Sequence, residues 1–390
     1  MKQMFYSMRY ILLFLLLFAG QTQAQSPFLK KVLQDTRPAI TERAAWAMQQ
    51  TPLTITAFSC DRSAGGKHDF YSEGDYWWPN PAHADSPYVQ RDGQSNPDNF
   101  VEHRQVMIRF SRIMGALAAG YVATKDKTYL QHALVHARAW FEEEATRMNP
   151  SLLYAQAIKG RATGRGIGII DTIHLLEVVQ ALHIMEKAGM IPPSDLAAFK
   201  SWFTAYLTWM TTHPYGKDEM NAKNNHGTCW VMQVAAFAKF TGNRKWTDFC
   251  INRYKTVLLP AQMAEDGSFP QELRRTKPYG YSLFNLDAMS TICQLLSDKK
   301  NDLWRYTTEQ RNMAKGIAFL YPYVKDKSTW PYPKDVMYWS EWPVAQPFLL
   351  FGAAAYNNTD YYRLWLMLNH DPEVEEVLRN LPVRNPVIYL

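Results

Sequence analysis

From Glu102 onward the chain repeats one pattern: apolar residues at helical spacing, broken by short links that hold Gly, Pro or Asn. The spacing predicts helices over 103–122, 126–147, 170–188, 194–211, 227–241, 245–259, 282–297, 303–320, 346–355 and 358–369. Another is predicted over 28–50, where Phe28, Val32, Leu33, Ile40, Ala44, Ala45 and Met48 follow the period. No run across the middle of the chain alternates convincingly as a strand does. Successive amphipathic helices with short links form hairpins that pack side by side. Closed into a ring, they make an all-α fold, an α/α toroid with a cleft at one end. The signatures of 34-residue helical repeats are absent, which argues against an open solenoid. No linker divides residues 25–390, so one domain is expected.

Hydrophobic residues make up 47% and charged residues 20%, the balance of a folded protein. The N-terminus stands apart. Lys2 and Arg9 precede an apolar run from Ile11 to Ala19, and Thr22-Gln23-Ala24 has the small residues of a cleavage site. Residues 1–24 read as a signal peptide, too short to span a bilayer comfortably. No cysteine follows the run to carry a lipid, and no later stretch reads as transmembrane. The expectation is a periplasmic or secreted protein that is monomeric and not membrane-bound. The formal charge of +6 includes Lys2 and Arg9, and no acid lies in residues 1–24, which leaves 6 − 2 = +4. That mild excess suits a polyanionic ligand. Nucleic acid is disfavoured, because no Lys/Arg block or recognised binding motif occurs. Cys60, Cys229, Cys250 and Cys293 are scattered without zinc spacing, and both one disulfide and four free thiols fit them.

Two segments differ from the helical background. Residues 57–100 are dense in Gly, Pro, Asn and Asp, and carry Tyr76, Trp77, Trp78 and Arg91. A loop this long in a compact domain is usually functional or disordered, and its aromatics argue for structure. "WPYPKDVMYWSEWPVAQP", Trp330 to Pro347, is similar. Two such loops could wall one groove. Aromatics are 14% of the chain. Flat rings stack on sugar faces, although large helical cores also consume them.

Three polar motifs carry candidate chemistry. "NNHGTCW", Asn224 to Trp230, opens a predicted helix. One Asn serves as an N-cap, which leaves Asn225 and His226 as donors to an anion at a helix N-terminus. "FPQELRRTKPYGYSLFNLDAM", Phe269 to Met289, places Glu272, Arg274, Arg275, Lys277, Tyr279 and Tyr281 ahead of an apolar helix. "QAIKGRATGRGIGIID", Gln156 to Asp171, lacks the phosphate-loop signature and a preceding strand. Its glycines bring Arg161 and Arg165 toward an acidic ligand, or simply join two helices.

Together these segments resemble the alginate lyase superfamily of polysaccharide lyases. "NNHGTCW" is similar to its Asn-Asn-His signature, "QELRRTKPYGYSLFNLDAM" to its tyrosine signature, and "YWWPNP" with "PYVQRDG" to an N-terminal element of several members. Family 38, which cleaves glucuronan or mannuronate-rich alginate, gives the nearest likeness. The resemblance implies an incomplete α/α toroid and no metal or other cofactor. It implies Tyr281 as the catalytic tyrosine, Arg275 as the catalytic arginine, and Asn225 with His226 as the pair that neutralises the substrate carboxylate and assists the base. Family 5 lyases step seven residues from Arg to Tyr, whereas here 281 − 275 = 6, so Arg274 stays beside Arg275. Trp77, Trp78, Arg91, Arg161, Arg165, Arg274 and Tyr279 are expected to bind an acidic polysaccharide.

The reaction so implied is β-elimination. Removing the C5 proton of a uronate builds charge on its carboxyl group, and donors must neutralise it most strongly in the transition state. In β-D-mannuronate and β-D-glucuronate C5–H and O4 share one face, so one tyrosine serves as base and then as acid. The rivals are a glycoside hydrolase, with Asp171, Asp266, Glu272 and Asp287 as its carboxylates, and a non-catalytic acidic-glycan-binding protein.

Overall fold

The computed structural model describes residues 26–83 and 85–390. The predicted signal peptide lies outside the described residues. Ser26 accepts from Leu29 N at 3.1 Å and starts α1 (Pro27–Met48). It is followed by α2 (Glu102–Thr124), α3 (Thr128–Phe141), α4 (Leu175–Lys187), α5 (Pro193–Thr212), α6 (Pro214–Met220), α7 (Asn225–Thr241) and α8 (Arg244–Arg253). The rest are α9 (Leu259–Gln262), α10 (Pro270–Leu273), α11 (Pro278–Leu296), α12 (Met313–Lys325), α13 (Pro347–Tyr356), α14 (Thr359–Met367) and α15 (Glu375–Arg379).

An inner row forms because α2 packs on α4, α4 on α7, α7 on α11 and α11 on α13. Outer helices flank it: α1 and α3 on α2, α5 and α8 on α7, α12 on α11, α14 on α13. A terminal 3₁₀ turn, Pro386–Tyr389, touches α1, α2, α4 and α13 and fills the open side of the row. This is the incomplete α/α toroid. Burial follows the same order. In α7 and α11 nearly every residue is buried, including polar Thr228, Gln233, Asn285 and Ser290, as expected of helices enclosed by others on all sides.

Enclosed helices have N–H groups in their first turn with no partner inside the helix, and in three of them a buried carboxylate from elsewhere accepts one or two. Glu272 takes Asn225 N at 2.7 Å. Asp335 takes Tyr279 N and Gly280 N, both at 2.9 Å. Asp287 takes Phe348 N at 3.0 Å. The side chain of Asn224 makes no cap hydrogen bond, so the predicted capping role passes to Glu272. Gly227 is required where it stands, since a Cβ there would lie 2.2 Å from the Ala222 carbonyl oxygen.

Several elements differ from the sequence reading. The helix expected over 303–320 starts only at Met313. Before it, Thr308 and Arg311 bridge around Glu309 and Gln310, whose φ angles are +46° and +61°. The helix expected to reach 147 ends at Phe141, where the amides of Glu142 and Glu143 both turn back to the Arg138 carbonyl. The helix expected over 245–259 widens into a π turn over Tyr254–Leu258. The long loop also contributes strands: β1 (Tyr71–Glu73) pairs in parallel with β4 (Tyr154–Ala157), and β2 (Trp77–Trp78) pairs antiparallel with β3 (Val89–Gln90). Each strand is too short to show alternation. All four cysteines are free.

Asp335 gives a test of this arrangement. Burial pushes its pKa up to about 6 against the opposing pull of the Gly280 and Tyr279 amides. A carboxyl whose folded pKa is raised is favoured protonated, so its contribution to stability is largest below the unfolded pKa of 3.8 and falls as pH rises through 6. Urea unfolding of Asp335→Asn should show a smaller loss of stability between these two pH values than the unsubstituted protein. Asp335→Ala, which strands two buried N–H groups, should lose about 2–4 kcal/mol at neutral pH.

Candidate active site

The N-terminal turns of α7 and α11, which pack side by side, carry the two signature motifs. Asn225 and His226 are the first residues of α7. Asn225 is 3% exposed, and its side-chain amide donates to Glu272 Oε2 at 2.8 Å. An amide has two N–H donors, so one remains after that bond. His226 Nδ1 lies 2.8 Å from Glu219 Oε1, and Glu219 is buried. A carboxylate at Nδ1 fixes the ring and leaves Nε2 to face other partners.

Tyr281 lies in the first turn of α11 and is 7% exposed. Its hydroxyl is 2.7 Å from the hydroxyl of Tyr76, which the long loop delivers. The Arg275 guanidinium sits 4.7 Å from the Tyr281 ring centre. Arg275 is itself forked onto Asp92, at 2.7 and 3.2 Å. Burial pushes the Tyr281 pKa well up, and Tyr76 adds to the rise, while Arg275 opposes it. Tyr281 is therefore held as a phenol. No direct contact joins His226 to Tyr281. Glu272 links the two halves: its carboxylate holds Asn225, and its carbonyl accepts Arg275 N at 3.0 Å.

Arg275, rather than Arg274, is the arginine at the tyrosine. Arg274 is exposed, with Nε on the Pro270 carbonyl at 3.1 Å. The expectation that Tyr279 binds substrate is corrected. Its side chain is fully buried, its hydroxyl donates to the Tyr323 carbonyl at 3.0 Å, and its ring packs on Trp330 and Trp339. Two residues along a helix turn the side chain through about 200°, so Tyr279 and Tyr281 cannot share a face.

The arginine-rich loop does meet the tryptophans. Arg161 and Arg165 lie 5.3 and 5.7 Å from the Trp77 ring centre. Arg165 donates to the Gln156 carbonyl at 2.8 Å, and burial lowers its pKa to about 10. Arg91 stacks on Trp78 at 5.0 Å, and the Trp78 indole N–H donates to the Gln94 carbonyl. The two aromatic loops meet at Thr276. Asp92 accepts from Arg275 and Thr276, and Val336 N donates to the Thr276 carbonyl.

Sequence reasoning passed over the ion chain behind Tyr76. Lys277 and Arg379 lie 5.1 and 5.7 Å from its ring centre. Lys277 pairs with Glu376 at 2.7 Å, Arg379 with Asp75 at 2.9 Å, and Asp75 with the buried Arg104 at 2.6 Å. These partners lie tens to hundreds of residues apart, so no local pattern announces them. Of the carboxylates considered for hydrolysis, Glu272 and Asp287 hold helix N–H groups and Asp171 holds Ser72 and Gln156, all buried. Asp266 is an exposed turn residue bonded to Ser268 N.

The chain matches the alginate lyase family over residues 54–330. It is 31% identical to an alginate lyase from Bacteroides ovatus, with 93% of this chain and 97% of that one aligned at a TM-score of 0.77. Alginate lyase A1-III from Sphingomonas species A1 is 17% identical over 89% of this chain and 95% of that one, with a TM-score of 0.56. A histidine-to-alanine form of A1-III complexed with a tetrasaccharide aligns at 16% identity, a TM-score of 0.58, and coverage of 89% and 94%. No curated protein sequence matches significantly. A family match across more than two thirds of the chain, joined to a near full-length likeness above 30% identity, makes this protein a member of the alginate lyase family.

Proposed function

We propose that the protein is a polysaccharide lyase that cleaves β-1,4-linked polyuronates, glucuronan or mannuronate-rich alginate, by syn β-elimination. One observation carries the reading. A tyrosine in the first turn of an enclosed helix has a guanidinium over its ring and lies one helix away from an Asn-His pair. Helix N-termini carry partial positive charge, so a uronate carboxylate is drawn to the ends of α7 and α11.

In this reading Asn225 uses its second N–H, and Arg275 its charge, to neutralise the carboxylate as C5–H is lost. Tyr281 takes that proton as phenolate and returns it, as phenol, to the departing O4 on the same face. Burial works against the phenolate, so its proton must leave as the substrate binds. His226, with Nδ1 committed to Glu219, turns Nε2 to the cleft; it does not touch Tyr281, so a proton passes between them only by way of the bound sugar or a water. General acid–base steps of this kind contribute about 10²–10⁴-fold. Trp77 and Trp78, flanked by Arg161, Arg165 and Arg91, supply apolar faces with cations for flanking uronates. The predicted export from the cytoplasm places such an enzyme where polymers are met.

The first test is a panel of polyuronates followed by ultraviolet absorbance. Elimination leaves a C4=C5 double bond conjugated to the carboxylate, which absorbs; hydrolysis does not. Polymannuronate or glucuronan should yield absorbing oligosaccharides. Polyguluronate, whose C5 is inverted so that C5–H and O4 are on opposite faces, should yield few or none. New reducing ends without absorbance would instead make the protein a hydrolase.

The second test separates the two tyrosines. Tyr281→Phe removes only the reacting hydroxyl, and turnover should fall by about 10²-fold or more while the fold and polymer binding persist. Tyr279→Phe gives up one buried hydrogen bond, so it should lose about 1 kcal/mol of stability and keep most of its turnover. The opposite ranking would move the chemistry off Tyr281.

A further inference from the structure

Away from that cleft, a second cavity of about 460 Å³ opens between α1, α2 and the residues around Asp371 and Arg384. Arg104, at the cleft end of α2, and Arg112, in the cavity wall, are eight residues apart, about 12 Å along the helix. Three guanidinium groups line the cavity, those of Arg43, Arg112 and Arg384. Among the described residues none donates a hydrogen bond to a carboxylate. Arg112 comes only within 3.5 Å of Asp371, whose side chain is 60% exposed. Arg384 donates to the carbonyl of Leu381 and the hydroxyl of Ser111 and meets no carboxylate. Arg43 feels Asp371, Glu177 and Glu42 through charge alone.

Polar atoms of three lining residues lack hydrogen-bond partners among the described residues. The Nε groups of Arg43 and Arg384 are buried without a hydrogen-bond partner, as is Oδ1 of Asn385, a residue only 4% exposed. Such atoms are rare in a folded protein and call for an explanation. The carboxylates nearby do not supply one. Glu42 is exposed. Glu177 beneath the cavity spends itself on the backbone N–H groups of Arg384 and Asn385. Burial lowers the pKa of Arg43 and brings that of Arg384 to about 10, against the opposing pull of Asp371 and Glu177. Arg112 also stacks on Trp46 at 5.2 Å, which sets an aromatic ring in the wall.

Forked cations match a carboxylate in geometry and charge, and the indole offers an apolar flank. The volume is that of a small-ligand site. We propose that this cavity is a second, non-catalytic site that binds a uronate-bearing saccharide. The identity of the ligand rests on polyuronate cleavage in the cleft, whereas anion binding rests on the cavity alone.

The test is calorimetric titration of a β-1,4-linked mannuronate disaccharide into the full chain carrying Tyr281→Phe, which prevents turnover, with and without Arg43→Gln or Arg112→Gln. Neither arginine belongs to the cleft, and Arg43 has no hydrogen-bonded carboxylate among the described residues, so Arg43→Gln should leave the melting temperature unchanged, whereas Arg112→Gln gives up its contacts with Asp371 and Trp46. Two classes of site are expected, one of them weakened tenfold or more by either substitution. In the enzyme with Tyr281 intact, both substitutions should leave turnover of polymer unaltered. A single class of site, or two that both survive Arg43→Gln and Arg112→Gln, would overturn the proposal. So would competition by inorganic sulfate at the arginine-dependent site without any binding of the disaccharide there. Polymer cleavage with one binding site would remove the cavity from the account and leave the reaction. An arginine-dependent uronate site in an enzyme that cleaves no polyuronate would do the reverse.

Discussion

The structure depends on how the enclosed helices begin. A helix surrounded by other helices cannot satisfy its first N–H groups with water, and each unsatisfied group would cost about 1–3 kcal/mol. Here Glu272, Asp335 and Asp287 serve α7, α11 and α13. Each comes from outside the helix it serves, so each also fixes where that helix starts relative to its neighbours. The same bonds place the chemistry. Glu272 holds both the amide and the side chain of Asn225, and Asp335 holds the two residues immediately before Tyr281. A shift of either helix by one residue would turn its polar side chain about 100° off the cleft.

A second layer ties the long loop to the same helix ends. Tyr76 reaches Tyr281, and Asp92 reaches Arg275. Behind Tyr76 runs the chain Lys277, Glu376, Arg379, Asp75 and Arg104. Buried ion pairs are weak contributors to net stability, but removing one partner strands the other at about 3–5 kcal/mol. What this network supplies is position: it draws α2, α11, α15 and the loop to one point, and every cation near the phenols already has its own carboxylate. Arg275 therefore offers Tyr281 a charge that Asp92 has partly neutralised, and a substrate carboxylate must compete for it. The arginines of the second cavity are held more loosely: among the described residues only Arg112 reaches a carboxylate, Asp371 at 3.5 Å.

Much of this was legible in the sequence, for physical reasons. Inner and outer helices differ in how much of their surface is apolar, and long stretches such as 103–122 and 227–241 carry that signal over many turns. The paired motifs around His226 and Tyr281 could be read because their residues are close in sequence and of unusual type. Other features had no local trace. The turn at Glu309 and Gln310 places two ordinary residues at positive φ, held by contacts made elsewhere. Strands of two to four residues are too short to alternate. Tyr279 and Tyr281 both read as site residues, one for binding and one for catalysis, until helical geometry put the first in the core. Glu219, Asp92 and Glu376 owe their roles to partners that only the fold brings near.

The central claim is that one phenol works on C5–H and O4 from the same face. A crystal structure of the Tyr281→Phe protein holding a mannuronate tetrasaccharide tests it most directly. The account predicts that C5–H and the glycosidic O4 to be cleaved both point at the substituted ring, within hydrogen-bond reach of where the hydroxyl oxygen stood, with the carboxylate against Asn225 and Arg275. A bound sugar whose C5–H faces away from position 281, or faces His226 while O4 meets another acid, would contradict it.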